Sequence, residues 1–206
     1  MDERIKVKIP GIVPVFFKNT YMKYIFGTKK EMTQMFEESG VVQPVTLVCA
    51  EPVEVSLIRT KEKDGYDAVQ VRKGNVSREF RLRTSDSSFA AGLSLSIGQF
   101  KEGDKVIVAG ISKGKGFQGG MKRHGFHGAP KTHGTKHAHR QPGSISGIGR
   151  GGSGGVHKGK RMAGRMGSDK VTMRGVRVVR VYEDKNIIAL KGGLPGNRGS
   201  LVEIRG

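Results

Sequence analysis

Val106-Ile107-Val108-Ala109-Gly110-Ile111-Ser112-Lys113-Gly114-Lys115-Gly116-Phe117-Gln118-Gly119 is the stretch where one kind of sequence gives way to another. Up to Ala109 the residues are small, branched and apolar, the composition of a strand buried on at least one face. Beyond Gly110, glycine and lysine take over, and no Asp or Glu occurs between Asp104 and Asp169. Residues 105–168 hold 13 of the 37 Lys and Arg and all six His. A β domain is therefore interrupted by a long cationic segment and resumes after it. Such unopposed positive charge costs folding energy through self-repulsion, so a polyanion is the implied partner and nucleic acid the natural one.

Outside that segment the chain is ordinary. Its remaining 24 basic and 18 acidic residues nearly balance, and about 140 residues suffice for a domain with its own core. Cys49, the single cysteine, lies in the apolar run Val45-Thr46-Leu47-Val48-Cys49 and reads as a small buried hydrophobe. No intramolecular disulfide is possible, so a reducing cytosol is the expected compartment. The start, Met1-Asp2-Glu3-Arg4, carries acids where an export signal wants only bases, and no run approaches a membrane-spanning length.

Working outward, short strands recur. Residues 41–49 and 52–58 are followed by a turn at Lys63-Asp64-Gly65, then by 66–71 and 79–83. Beyond the cationic segment, Val176-Arg177-Val178-Val179-Arg180-Val181-Tyr182 and Ile187-Ile188-Ala189-Leu190 flank the turn Glu183-Asp184-Lys185-Asn186 as a hairpin, and Leu201-Val202-Glu203-Ile204 is a last strand. The fold class is mainly β, a small closed or nearly closed barrel with a long internal extended loop. Three parts are expected: an N-terminal extension at 1–24, a globular barrel from 25–110 and 168–206, and a basic glycine-rich finger at 111–167.

That finger contains 17 glycines in 57 residues and nothing that buries a core of its own. Gly114-Lys115-Gly116-Phe117-Gln118-Gly119 fits a GxGxxG pattern, but a dinucleotide turn must open a helix, which Gly120, Gly125, Gly128 and Pro130 oppose, and no acid follows at ribose distance. The histidines lack cysteine or carboxylate companions and sit among cations that repel a metal ion. A hydrolytic triad needs a carboxylate to orient its histidine, and none is at hand. The expectation is no enzyme, no catalytic residue, no cofactor, no metal and no small-molecule substrate.

Phosphate recognition remains. Lys113, Lys115, Lys122, Arg123, Lys131, Lys136, Arg140, Arg150, Lys158, Lys160, Arg161 and Arg165 space charges along the finger for backbone contacts. His124, His127, His133 and His139 add rings that stack on bases or donate to phosphates. Gly114, Gly116, Gly119, Gly143, Gly159 and Gly164 let the backbone approach RNA closely.

Five blocks in order, Ser112 through Gly119, Lys122-Arg123-His124-Gly125-Phe126, Thr132-His133-Gly134, His139-Arg140-Gln141-Pro142-Gly143-Ser144-Ile145 and Lys158 through Gly167, resemble the large-subunit ribosomal protein L-three family, bacterial type. The resemblance extends through Met32-Thr33-Gln34-Met35-Phe36, Pro44-Val45-Thr46, Gly65 through Val71 and residues 192–199, covering about residues 25 to 206. It implies an elongation-factor-like barrel, a finger directed toward the peptidyl-transferase centre, binding to large-subunit rRNA early in assembly, ribosomal proteins L-fourteen and L-nineteen as neighbours, and a cytoplasmic ribosomal location. The chain departs from the family at Glu31, at His124 and in the glycine-rich stretch 146–156. It also lacks the glutamine that some members methylate, so no methylation is expected there.

Overall fold

A computed structural model describes residues 23–37, 39–82, 89–146 and 155–206. Six strands pair in a ring: β1 (Tyr24–Phe36), β12 (Leu201–Arg205), β7 (Lys105–Ile111), β10 (Lys170–Tyr182), β11 (Ile187–Lys191) and β2 (Val42–Cys49), each bonded to both neighbours so that the sheet closes as a barrel. Closure needs strands that bend. The two 13-residue strands do so at register shifts, between Lys29 and Met32 in β1 and between Met173 and Val176 in β10. β1 thereby spends Tyr24 to Thr28 on β12 and Thr28 to Phe36 on β2.

The expected hairpin forms: β10 and β11 pair from Val178↔Leu190 to Tyr182↔Ile187, and Asn186, at φ 52°, takes the left-handed position that ends the turn. β1 itself is a strand the sequence did not announce, since it mixes Lys29, Lys30 and Glu31 with apolar residues and shows no two-residue period. Lys29 is nevertheless buried, its ammonium donating to the carbonyls of Leu194 at 2.7 Å and Gly196 at 3.0 Å. Burial and the neighbouring Lys113 hold its pKa below the ordinary lysine value.

Between β2 and β7, a separate four-stranded sheet forms in the order β5 (Val76–Arg81), β4 (Ala68–Lys73), β3 (Val53–Arg59), β6 (Ser94–Leu95). These strands are thus not staves of the barrel. The turn near Gly65 includes one helical turn, α1 (Lys61–Asp64), with Gly65 left-handed at its end. Val53, Val55, Val69, Val71 and Phe80 of this sheet join Tyr24, Ile25, Val106, Val108, Ile188, Leu190, Val202 and Ile204 in one buried cluster. Tyr24 stacks on Phe80 with ring centroids 4.2 Å apart. Glu203, 8% exposed, fastens the junction: Arg205 reaches it at 3.0 Å, and Arg78 of the second sheet and Lys170 of β10 each at 3.4 Å. Cys49 is only half-buried rather than enclosed.

Candidate nucleic-acid interface

The cationic segment leaves the barrel as a continuation of the β7–β10 ladder. Lys170 pairs with Ile111; the Ser112 N–H then donates to the Asp169 carbonyl at 2.9 Å and the Lys115 N–H to that of Met166 at 2.9 Å. The ladder resumes as β8 (Gly116–Gln118) against β9 (Gly164–Met166), with Phe117 opposite Arg165. The arm therefore has a two-stranded stalk and is not a bare extended chain. Gly167 makes the junction possible: at φ +79°, a Cβ there would lie 2.2 Å from the Lys113 carbonyl oxygen.

Past the stalk the chain forms a short helix, α2 (Gly120–His124), where glycine spacing argued against any helix. It survives because it is a single turn stopped by left-handed Gly125, and because the returning strand holds it. Arg123 Nη1 donates to the Met162 carbonyl at 2.9 Å, and His124 Nε2 lies 3.0 Å from the same oxygen, a contact that needs Nε2 protonated. Gly120 lies under the Phe126 ring, where a Cβ would meet Cδ2 at 2.7 Å. Further out, Gly128 (φ +75°) brings the backbone against His139, whose carbonyl oxygen is 2.1 Å from any Cβ placed there.

Lys113, Lys115, Lys122, Arg123, Lys131, Lys136, Arg140, Lys158, Lys160, Arg161 and Arg165 are all exposed; Arg150 lies outside the described residues. Among the described residues none of them reaches a carboxylate within 4 Å, whereas barrel cations such as Lys23, Lys170, Arg180, Arg198 and Arg205 do. His127 and His133 are exposed, His133 in a left-handed turn at φ 58°, while His124 and His139 are half-buried in the arm. Among the described residues no three His, Cys, Asp or Glu converge as metal ligands. Two of the six singled-out glycines are used within the protein: Gly164 faces the Arg123 guanidinium, which is 2.6 Å from its virtual Cβ, and Gly114 faces Ser168. Gly116, Gly119, Gly143 and Gly159 border open space. Phe117, 76% exposed beside Arg165, is an addition the charge pattern did not pick out. An aromatic face next to a guanidinium suits an unstacked base.

A sequence profile described as ribosomal protein L3 matches residues 28–186. The chain belongs to the ribosomal protein L3 family. It is 43% identical over 210 residues to the large ribosomal subunit protein uL3 of Nocardia farcinica, covering 91% of this chain and 94% of that one. The uL3 of Acidothermus cellulolyticus is 42% identical, with 89% and 92% covered. That of Streptococcus pyogenes serotype M1 is also 42% identical, with 89% and 96% covered. The profile spans the stalk, α2 and the whole cationic arm, so the family relationship includes the candidate interface together with β2, β7, β10 and most of β1.

Proposed function

We propose that this L3-family chain is a structural, non-enzymatic constituent of the large subunit of the cytoplasmic ribosome, and that its arm is the principal rRNA-binding element. In this reading the barrel, elongation-factor-like as the family resemblance implies, rests on rRNA surface helices. Residues 111–167 pass between those helices toward the peptidyl-transferase centre. The chain joins early in assembly and has ribosomal proteins L-fourteen and L-nineteen as neighbours. The parts act as an extension ahead of β1, a globular body that takes in Tyr24 as well as 25–110 and 168–206, and the finger.

One observation carries the reading: the exposed arm cations lack carboxylate partners among the described residues. Lys and Arg held without counter-charge on a segment whose described residues contribute nothing to the buried cluster are stabilised by phosphates, which release their condensed counterions on binding. The arm has enough local structure to set its direction and too little interior to hold it rigid, so final ordering accompanies RNA binding. Sedimentation tests this. Tagged full-length protein is expected to migrate with large subunits at physiological salt, and a version lacking residues 113–165 is expected to stay near the top of the gradient. Equal co-migration of the two would overturn the arm's role.

A further inference from the structure

Away from the arm, three neighbouring barrel strands carry a second row of cations that have no carboxylate partner among the described residues. Arg177 of β10 stands directly opposite Lys105 of β7. On its other side β10 pairs with β11 through Val178↔Leu190, and the next position along β11 is Lys191, which comes alongside Arg177. Adjacent strands are about 4.8 Å apart, so Lys105, Arg177 and Lys191 form a transverse row roughly 10 Å long. All three are exposed, while their chain neighbours Val106, Val176, Val178 and Leu190 are buried and fix the row outward. Arg174 flanks it from the β10 register shift, where Gly175 at φ +73° bulges the backbone and hollows a shallow groove of about 350 Å³.

Like charges directly opposite each other on a sheet destabilise it. Elsewhere on the barrel that problem is met by pairing: nearby Glu102 goes to Arg180 and Asp104 to Lys23. The groove, by contrast, is lined by no acid, and among the described residues none of its four cations has a carboxylate within 4 Å. An external anion is the group that relieves the repulsion. Its character follows from the lining, which besides cations offers only Met173, Gly175 and Val176. Open, shallow and without an aromatic or amide to read a base or enclose a mononucleotide, the groove suits a backbone passing through. The groove is also separate from the arm. Lys105 lies six residues down β7 from Ile111 at the stalk, about 20 Å at 3.4 Å per residue, beyond the roughly 8 Å screening length at physiological salt.

We infer that the Lys105–Arg177–Lys191 row with Arg174 is a second phosphodiester-binding groove, which grips an RNA segment distinct from those the arm contacts. The inference rests on the RNA-binding reading above, and one experiment separates the two. The full-length protein and two triple variants are titrated with a large-subunit rRNA transcript across a salt series. The groove variant is Arg174→Gln/Arg177→Gln/Lys191→Gln, and the arm variant is Lys158→Gln/Lys160→Gln/Arg161→Gln. The groove variant is expected to flatten the slope of log affinity against log salt by about two to three, with circular dichroism melts matching wild type. A wild-type slope for the groove variant beside a flattened one for the arm variant overturns the second groove alone. Wild-type slopes for both overturn the RNA-binding reading as well. If the groove triple variant melts early, Lys105→Gln/Lys191→Gln, at the first residue of β7 and the last of β11, carries the same test with an expected change of about two.

Discussion

Single residues set the tolerances of this protein. Gly27 sits where β1 crosses β2, and a Cβ would lie 2.4 Å from the Cys49 carbonyl oxygen and 2.8 Å from Ala50 Cβ. Gly27→Ala is expected to cost about 1–3 kcal/mol of overpacking and to lower the melting temperature by about 2–4 °C per kcal/mol, which calorimetry reads directly. Gly128→Ala meets a similar clash within the arm, so rRNA affinity at fixed salt should fall by the equivalent of about 1–3 kcal/mol while the barrel melts as before. Asp104, the last acid before the arm, is a pH-sensitive point. Burial alone would raise its carboxyl, but the Lys23 ammonium at 2.5 Å and the Lys101 N–H at 2.9 Å hold it below the usual carboxylate range. A carboxyl lowered on folding contributes stability that is complete above its unfolded pKa, about 3.9, and is lost as pH falls through the folded value. Thermal melts of Asp104→Asn at descending pH should therefore show a shallower acid decline than wild type; an unchanged decline would argue that the contact is unimportant.

Among elements, β1 and the loop at 192–199 depend on each other. Lys29 reaches across to the Leu194 and Gly196 carbonyls, its backbone N–H donates to the Ser200 carbonyl, and the Gly199 N–H donates to the Lys29 carbonyl. Lys29→Met keeps the stem and leaves two buried carbonyls without a donor, a loss expected to be about 1–3 kcal/mol in denaturant unfolding. How legible the elements were depends on what kind of signal each carries. The β10–β11 hairpin shows alternation and a turn residue fit for positive φ, all local properties. β1 shows neither, because its cationic Lys29 is tolerated only by carbonyls more than 160 positions away. Likewise, the strand patterns at 52–58 and 66–71 declare that these segments are strands without declaring their partners, so their separation into a second sheet was not written locally. α2 forms because Met162, 38 positions on from His124, accepts from its last two residues.

At the scale of the whole molecule, the buried core and the cationic arm occupy different parts. Among the described residues, none from 111–167 belongs to the buried cluster, and Ser112 and Asp169 are already bonded at the arm's root. Replacing residues 113–168 with a two-glycine turn is expected to leave a cooperative melt within a few degrees of wild type, while rRNA affinity collapses toward the non-specific level. A large loss of melting temperature would mean that the arm supports the barrel after all. The barrel's surface contributes its own charge pattern, since among the described residues its acids pair with some cations and leave others, at 105, 174, 177 and 191, without a carboxylate partner.

Composition and spacing by themselves determined that this is a β protein with an internal cationic arm, and implied a polyanion as its partner. Charge, glycine content and two-residue periodicity are read along the chain, one neighbour after the next. Tertiary structure alone decided which strands close the ring and which form the second sheet, how Lys29 is buried, and how the arm is aimed by Gly167 and held by Met162. It alone also brought Lys105, Arg177 and Lys191 into one row. Each of these depends on contacts between residues far apart in sequence, made by register and burial, and such contacts leave no local pattern to read.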